Sequence, residues 1–188
     1  KYVIAVGRIV RDKGIIELIE SIIRCRLDYG LVNLKLILLG PIEELRSEES
    51  LPNIVLNEIK TNDSIIHISW SEEVEYYLYL ADLLIHASHR EGFPNVVLQA
   101  GAMECPIICS NIPGNIDIVE HEKYGLLFEC GNLKDLTQKL RYAVDNSNDM
   151  SDFAILLRRR IEELFKREKI HKELLNFYIQ KLSEKQEI

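Results

Sequence analysis

The chain has 188 residues, 47% of them apolar and 28% charged, proportions that exclude a disordered or collagen-like chain and suit one folded domain. Its formal charge of -7 gives no general attraction for phosphate backbones or anionic lipid, which argues against nucleic acid as the main partner. No apolar run approaches the roughly 20 residues needed to span a bilayer, and no charged-then-apolar leader opens the sequence, so the chain is expected to be cytoplasmic.

The first predicted element is the strand "YVIAV" at 2 to 6. Because the sequence enters a buried-strand pattern at once and has no initiator methionine, it reads as a piece cut from something larger. A loop with Gly7, Arg8, Arg11 and Lys13 then leads into a helix over 14 to 27, whose Ile15, Leu18, Ile19, Ile22 and Ile23 share one face. Further apolar runs at 34 to 40, 64 to 68, 82 to 88, 106 to 110 and 125 to 129 have the composition of buried parallel strands. Helical spacing appears between them at 72 to 80 and 94 to 104. The alternation predicts an α/β fold: a Rossmann-like, doubly wound parallel sheet of about six strands. From about 132 the pattern is helical only, at 132 to 146, 151 to 166 and 169 to 184, with a polar break "DNSND" after the first. Residues 1 to 146 are therefore read as the Rossmann-like domain, and 147 to 188 as a helical C-terminal tail packing on it. Of the four cysteines, Cys25, Cys105 and Cys109 fall in apolar segments as small hydrophobes, whereas Cys130 does not, a usage that fits a reducing compartment.

Sheets of this kind bind ligands beyond the carboxyl ends of their strands, so residues just after the apolar runs are the candidates. In "VGRIVRDKG", residues 6 to 14, glycine allows close backbone approach while Arg8 and Lys13 offer donors to phosphate oxygens. The segment is neither a Walker loop nor the three-glycine dinucleotide fingerprint, and a solvated basic loop remains the competing reading. In "SHREGFPNVVLQAG", residues 88 to 101, Pro94 is placed as the first residue of a helix, with Val96, Val97, Ala100 and Met103 as its inward stripe and Gln99 within the stripe's range. Glu91, Gly92 and Phe93 then lie in the strand-to-helix loop, beside free backbone donors that favour an anion. Taken singly, Glu91 is equally a charge on the helix dipole and Gln99 a satisfied half-buried amide.

The pattern as a whole resembles the donor-binding, C-terminal domain of family 4 glycosyltransferases (glycosyl transferases group 1), one half of the two-domain GT-B architecture. The resemblance is carried by "VGRIVRDKGIIELIESI", "LILLG" and the stretch from "LADLLIHASHREGFPNVVLQAGAMECPIICSNIPGN" to "LKDLTQKL", over roughly residues 2 to 146. It implies a nucleotide-sugar donor, transfer of a hexose-type sugar with retention to a glycan or lipid-linked acceptor, and no obligatory metal or other cofactor. Gly7, Arg8, Lys13 and Gly14 are the positions that grip the donor diphosphate in such enzymes, assisted by the backbone of Phe93, Pro94, Asn95 and Val96. The family's paired glutamates fall on Glu91, which approaches the transferred sugar and is the catalytic candidate, and on position 99, which holds the ribose. Position 99 is Gln here, a departure from the pattern. Ser69 and Trp70 are base-proximal, and Gly114 of "SNIPG" lies near the same cleft, as does His86 at the end of its strand.

The acceptor site in this class lies on an N-terminal domain absent from this sequence, so the chain by itself is expected to bind but barely to transfer. Its last helix, with Leu174, Leu175, Tyr178 and Leu182, resembles the segment that crosses back to that domain. Polysaccharide assembly at the inner face of the membrane is the setting such relatives suggest. A non-catalytic nucleotide-sugar-binding module or inactive partner subunit, and an epimerase of the same fold, are the alternatives. His86 and His89 form an H-x-x-H pair, but no third ligand has a supporting spacing, and Cys105 and Cys109 span a strand, so no metal site is assigned.

Overall fold

The computed structural model describes residues 1–43 and 48–186. Among these, strands β1 (Tyr2–Val6), β2 (Lys35–Leu39), β3 (Ile65–Ile68), β4 (Leu83–His86), β5 (Ile107–Ser110) and β6 (Leu126–Phe128) form one sheet in the order β3-β2-β1-β4-β5-β6. Every pairing is parallel, with Val6 opposite Leu39 and His86 opposite Cys109 at the carboxyl ends. The chain winds outward from β1 to β3 and then returns to β4 on the other side of β1. Crossovers therefore diverge at the carboxyl ends of β1 and β4, and a crevice opens there.

The helices are α1 (Ile15–Asp28), α2 (Asn53–Thr61), α3 (Val74–Leu80), α4 (Asn95–Ala102), α5 (Asn115–Ile118), α6 (Leu133–Asp145), α7 (Ser147–Leu164) and α8 (Arg167–Gln186), with a 3-10 turn at Arg11–Lys13. Because side chains alternate along a strand, Val3 and Ala5 enter one core with Leu18 and Ile22 of α1 and Leu136 and Leu140 of α6. Ile4 enters the other with Leu78 of α3, Val97 and Ala100 of α4 and Leu157 of α7. Both faces of the sheet are thus covered, which is why its strands read as continuous apolar runs.

The anticipated strands and helices are present with ends shifted by a few residues, and four local expectations are corrected. Helix α2, like the one-turn α5, has no counterpart in the sequence reading; its apolar stripe is short, Val55, Leu56 and Ile59, with only Ile59 fully buried. The polar break after α6 shrinks to Asn146, whose side-chain amide donates to the Tyr142 carbonyl at 2.9 Å, and α7 starts at Ser147 rather than 151. Pro94 stands just outside α4 with an extended backbone, not as its first residue. Within α4 the buried positions are Val97, Ala100 and Gly101, so Gln99 projects from the opposite side and is exposed, not half-buried.

Helix α7 packs along α4 through Leu157 and Ile161, which close on Gly101, while its buried Met150 joins the core on the other face; Leu174, Leu175, Tyr178 and Leu182 of α8 are exposed. Cys25, Cys105 and Cys109 are buried thiols, and burial pushes Cys25 up to about 11 and Cys105 to about 12. Truncation of Leu157 to Ala should cost about 2–5 kcal/mol of unfolding free energy, while Leu175→Ala should change it by less than about 0.5 kcal/mol. Urea unfolding of the two variants measures the contrast.

Candidate functional site

The site grows from three loops that leave the carboxyl edge of the sheet. The first, after β1, passes through Gly7 and Arg8 to the 3-10 turn and Gly14. Gly14 has φ 65°, and a Cβ there would stand 2.2 Å from the Ala87 carbonyl oxygen, so only glycine lets this turn lie against the loop after β4. The third loop, after β5, closes in the same way: Gly114 has φ 87°, and a Cβ would fall 2.5 Å from the Gly92 carbonyl oxygen.

The β4 loop is pinned to the turn by several polar contacts. The His89 amide donates to the Asp12 carbonyl at 2.8 Å, the Ser88 hydroxyl reaches the same carbonyl at 3.2 Å, and the Arg90 guanidinium donates to the Asp12 carboxylate at 3.1 Å. His89 Nε2 lies 3.0 Å from Glu17 Oε1 of α1. Held this way, Glu91 turns inward. Its Oε1 accepts a hydrogen bond from Lys13 Nζ and stands 3.1 Å from His86 Nε2. The imidazole is 6% exposed, yet its N–H is not aligned on the carboxylate, so Nε2 is a buried nitrogen without a hydrogen-bond partner. Burial pushes the Glu91 carboxyl up, but the His86, Lys13 and Ser88 side chains around it outweigh burial and hold the group down at about 2.

Lys13 and Glu91 are thus brought together as the sequence suggested, and Arg8, Gly7, Lys13 and His86 line one small cavity between the ends of β1 and β4. The Arg8 guanidinium, however, is engaged on its other side: Nη1 donates to Glu43 at 2.9 Å and to Glu49 at 3.2 Å, both on the segment after β2. The Glu43 hydrogen bond is the main reason that the Arg8 pKa rises. Ahead of α4, the N–H groups of Asn95 and Val96 have no helical acceptor four residues back, as at any helix start. Phe93 is 46% exposed, and its ring centroid lies 5.5 Å from that of Phe165, just past α7. Asn95 and Gln99 are exposed one helical turn apart.

Ser69 and Trp70 follow β3 at the same edge but two strands away from β1, and Trp70 is 73% exposed. His86 and His89 do not converge, because His89 faces Glu17; among the described residues no group of three or more His, Cys, Asp or Glu is arranged to hold a metal ion. Sequence reasoning singled out Ser88 only as part of the loop after β4 and missed Asp12, Glu43 and Glu49. Only Asp12 carried a signal, an acid within a basic turn, and its partners lie more than seventy positions onward.

Fold and edge define a doubly wound α/β domain with a crevice at its switch point, lined by Arg8 and by Lys13 paired with Glu91. The family described as "Glycosyl transferases group 1" matches residues 1–173, and the chain belongs to it. The capsular polysaccharide biosynthesis glycosyltransferase CapM of Staphylococcus aureus is 32% identical over 173 residues, 92% of this chain and 44% of that protein. Among solved structures, HepE of Anabaena in complex with UDP superposes with TM-score 0.85 at 17% identity, over 95% of this chain and 48% of that one. The crystallised C-terminal domain of the group 1 glycosyl transferase LpcC of Francisella tularensis gives 0.74 at 22% identity, over 88% of this chain and 86% of that domain. The chain spans less than half the length of CapM and HepE, and its fold is one half of the GT-B arrangement. No helix among the described residues is long and apolar enough to cross a membrane.

The low Glu91 pKa fixes the sign of a pH effect. The unfolded chain protonates this carboxyl near 4.5 and the folded one near 2, so the folded state gains stability from the ion above about pH 5 and loses it as pH falls toward 2. Wild-type unfolding free energy should therefore fall more steeply than that of Glu91→Gln between pH 5 and pH 3, values bracketing the upper part of that window, measured by urea titration at each pH.

Proposed function

We propose that this chain is the donor-binding half of a nucleotide-sugar-dependent, retaining glycosyltransferase that passes a hexose-type sugar to a glycan or lipid-linked acceptor. The observation that carries the reading is the meeting of Lys13 with Glu91 at the switch point, beside the free amides that open α4. The UDP complex of HepE supports the same chemistry, since that protein shares the fold.

A donor diphosphate at this edge would lie against the Gly7–Gly14 loop, with Lys13, Arg8 and the amides of Asn95 and Val96 meeting its oxygens. Negative charge grows on the diphosphate as the bond from its oxygen to the anomeric carbon breaks, and preplaced cations and N–H dipoles stabilise it there. The acceptor oxygen bonds to the anomeric carbon on the face the diphosphate leaves, and its proton passes to the departing phosphate. Glu91, fully ionised at neutral pH, orients the sugar hydroxyls and faces the positive charge on the ring. Gln99 meets the ribose, Ser69 and Trp70 the base, and no step requires a metal. The acceptor is held by a second domain, and closure of the two halves completes the site.

Calorimetric titration with UDP, ADP, GDP and dTDP tests the reading and names the base; no binding to any of them at millimolar concentration would overturn it. With the base known, Lys13→Ala should weaken binding about tenfold or more, the worth of a hydrogen bond between charged groups. Gln99→Glu should tighten it roughly fivefold, because a charge-assisted bond to a ribose hydroxyl is about twice as strong as a neutral one. Unchanged affinity in Gln99→Glu removes the ribose assignment.

A further inference from the structure

At the crevice one carboxylate oxygen, Glu91 Oε1, has two nitrogens beside it: Lys13 Nζ, which donates to it, and His86 Nε2 at 3.1 Å, which has no hydrogen-bond partner. The two are not equivalent. Lys13 sits on a loop at the mouth of the cavity, on a long side chain able to swing. His86 is the last residue of β4, its ring fixed in the sheet edge at 6% exposure. A diphosphate lying against the crevice edge carries more negative charge than a single carboxylate and draws the lysine ammonium to itself. Glu91, whose side chain is only 15% exposed, then loses its cation while remaining largely shielded from water. An ion left unpaired in such a place is costly, and the nearest donor without an engagement of its own is the buried imidazole.

From this geometry we infer that His86 is a positioning residue: it takes over Glu91 when the donor diphosphate takes Lys13, and so keeps the carboxylate aimed at the sugar throughout the bound state. Once Lys13 has withdrawn, Glu91 Oε1 shifts onto the Nε2 proton of the fixed ring, and the exchange transfers no proton and breaks no covalent bond. The inference rests on the donor-binding reading above and adds to it a residue and an order of events. It also accounts for an otherwise unexplained feature, a polar nitrogen buried at a strand end with nothing to bond.

The consequence is confined to ligands that carry a sugar. With UDP and UDP-glucose as probes, or the corresponding pair for whichever base binds, His86→Leu should weaken the sugar ester about tenfold while changing the nucleoside diphosphate by less than about twofold, the loss expected for one hydrogen bond to a charged group. His86→Gln, which keeps an N–H donor, should restore most of the difference. In a Glu91→Gln background, His86→Leu should cause little further loss, since the two residues act through one contact. His86→Met serves as the apolar replacement should the leucine variant not fold. Wild-type binding of both probes together with an unaltered preference for the sugar ester in His86→Leu would overturn the inference alone. Failure of the wild-type chain to bind any nucleoside diphosphate would overturn the donor-binding reading and this inference with it. An equal loss for both probes, unrelieved by His86→Gln, would assign His86 to the phosphate pocket or the core and reject its role toward Glu91.

Discussion

The site depends on one ion pair, between Lys13 after β1 and Glu91 after β4, closed across seventy-eight positions of sequence. Neither segment is held in place by itself. Lys13 is aimed by a turn that only a glycine at position 14 allows to approach the β4 loop, and Glu91 by a loop tied to that same turn through Ser88, His89 and Arg90. The sheet order supplies the rest: with β1 and β4 adjacent and parallel, both loops must emerge on one edge, and their charged ends meet where the crossovers part.

Strand positions were legible in the sequence because a parallel sheet covered on both faces has no polar side to interrupt its apolar runs, as "YVIAV" and "LKLILL" illustrate. Helix α1 was legible for the complementary reason, a full stripe of isoleucine and leucine. Helix α2 has only a short stripe, Val55, Leu56 and Ile59, with one side chain fully buried, and Asn146 misleads because a single residue ends one helix and begins the next. In α4 the apolar residues Val96 and Met103 suggested a stripe that included Gln99; both are only partly buried, and the core contact runs through Val97, Ala100 and Gly101 instead.

For the site, residue type and spacing pointed to Lys13, Glu91 and the helix start, and the family pattern gave them roles. What no local pattern holds is the partner of each charge. Glu43 and Glu49 sit in an acidic, polar stretch like many surface loops, and only the folded chain shows them gripping Arg8. The same is true of Asp12, whose carbonyl and carboxylate organise a loop encoded far downstream. Pairings at long sequence separation depend on topology, and topology is legible only after the strand order is known.

Arg8 gives the crevice a further property. With its guanidinium already shared between two carboxylates, and Lys13 held by a third, the resting cavity is close to charge-compensated rather than openly cationic. Under the donor-binding proposal, entry of an anion would be an exchange of partners, in which a singly charged visitor has little advantage over the carboxylates it must replace. Such an arrangement would then work as an ion-exchange gate, favouring ligands with several charged oxygens close together over simple anions.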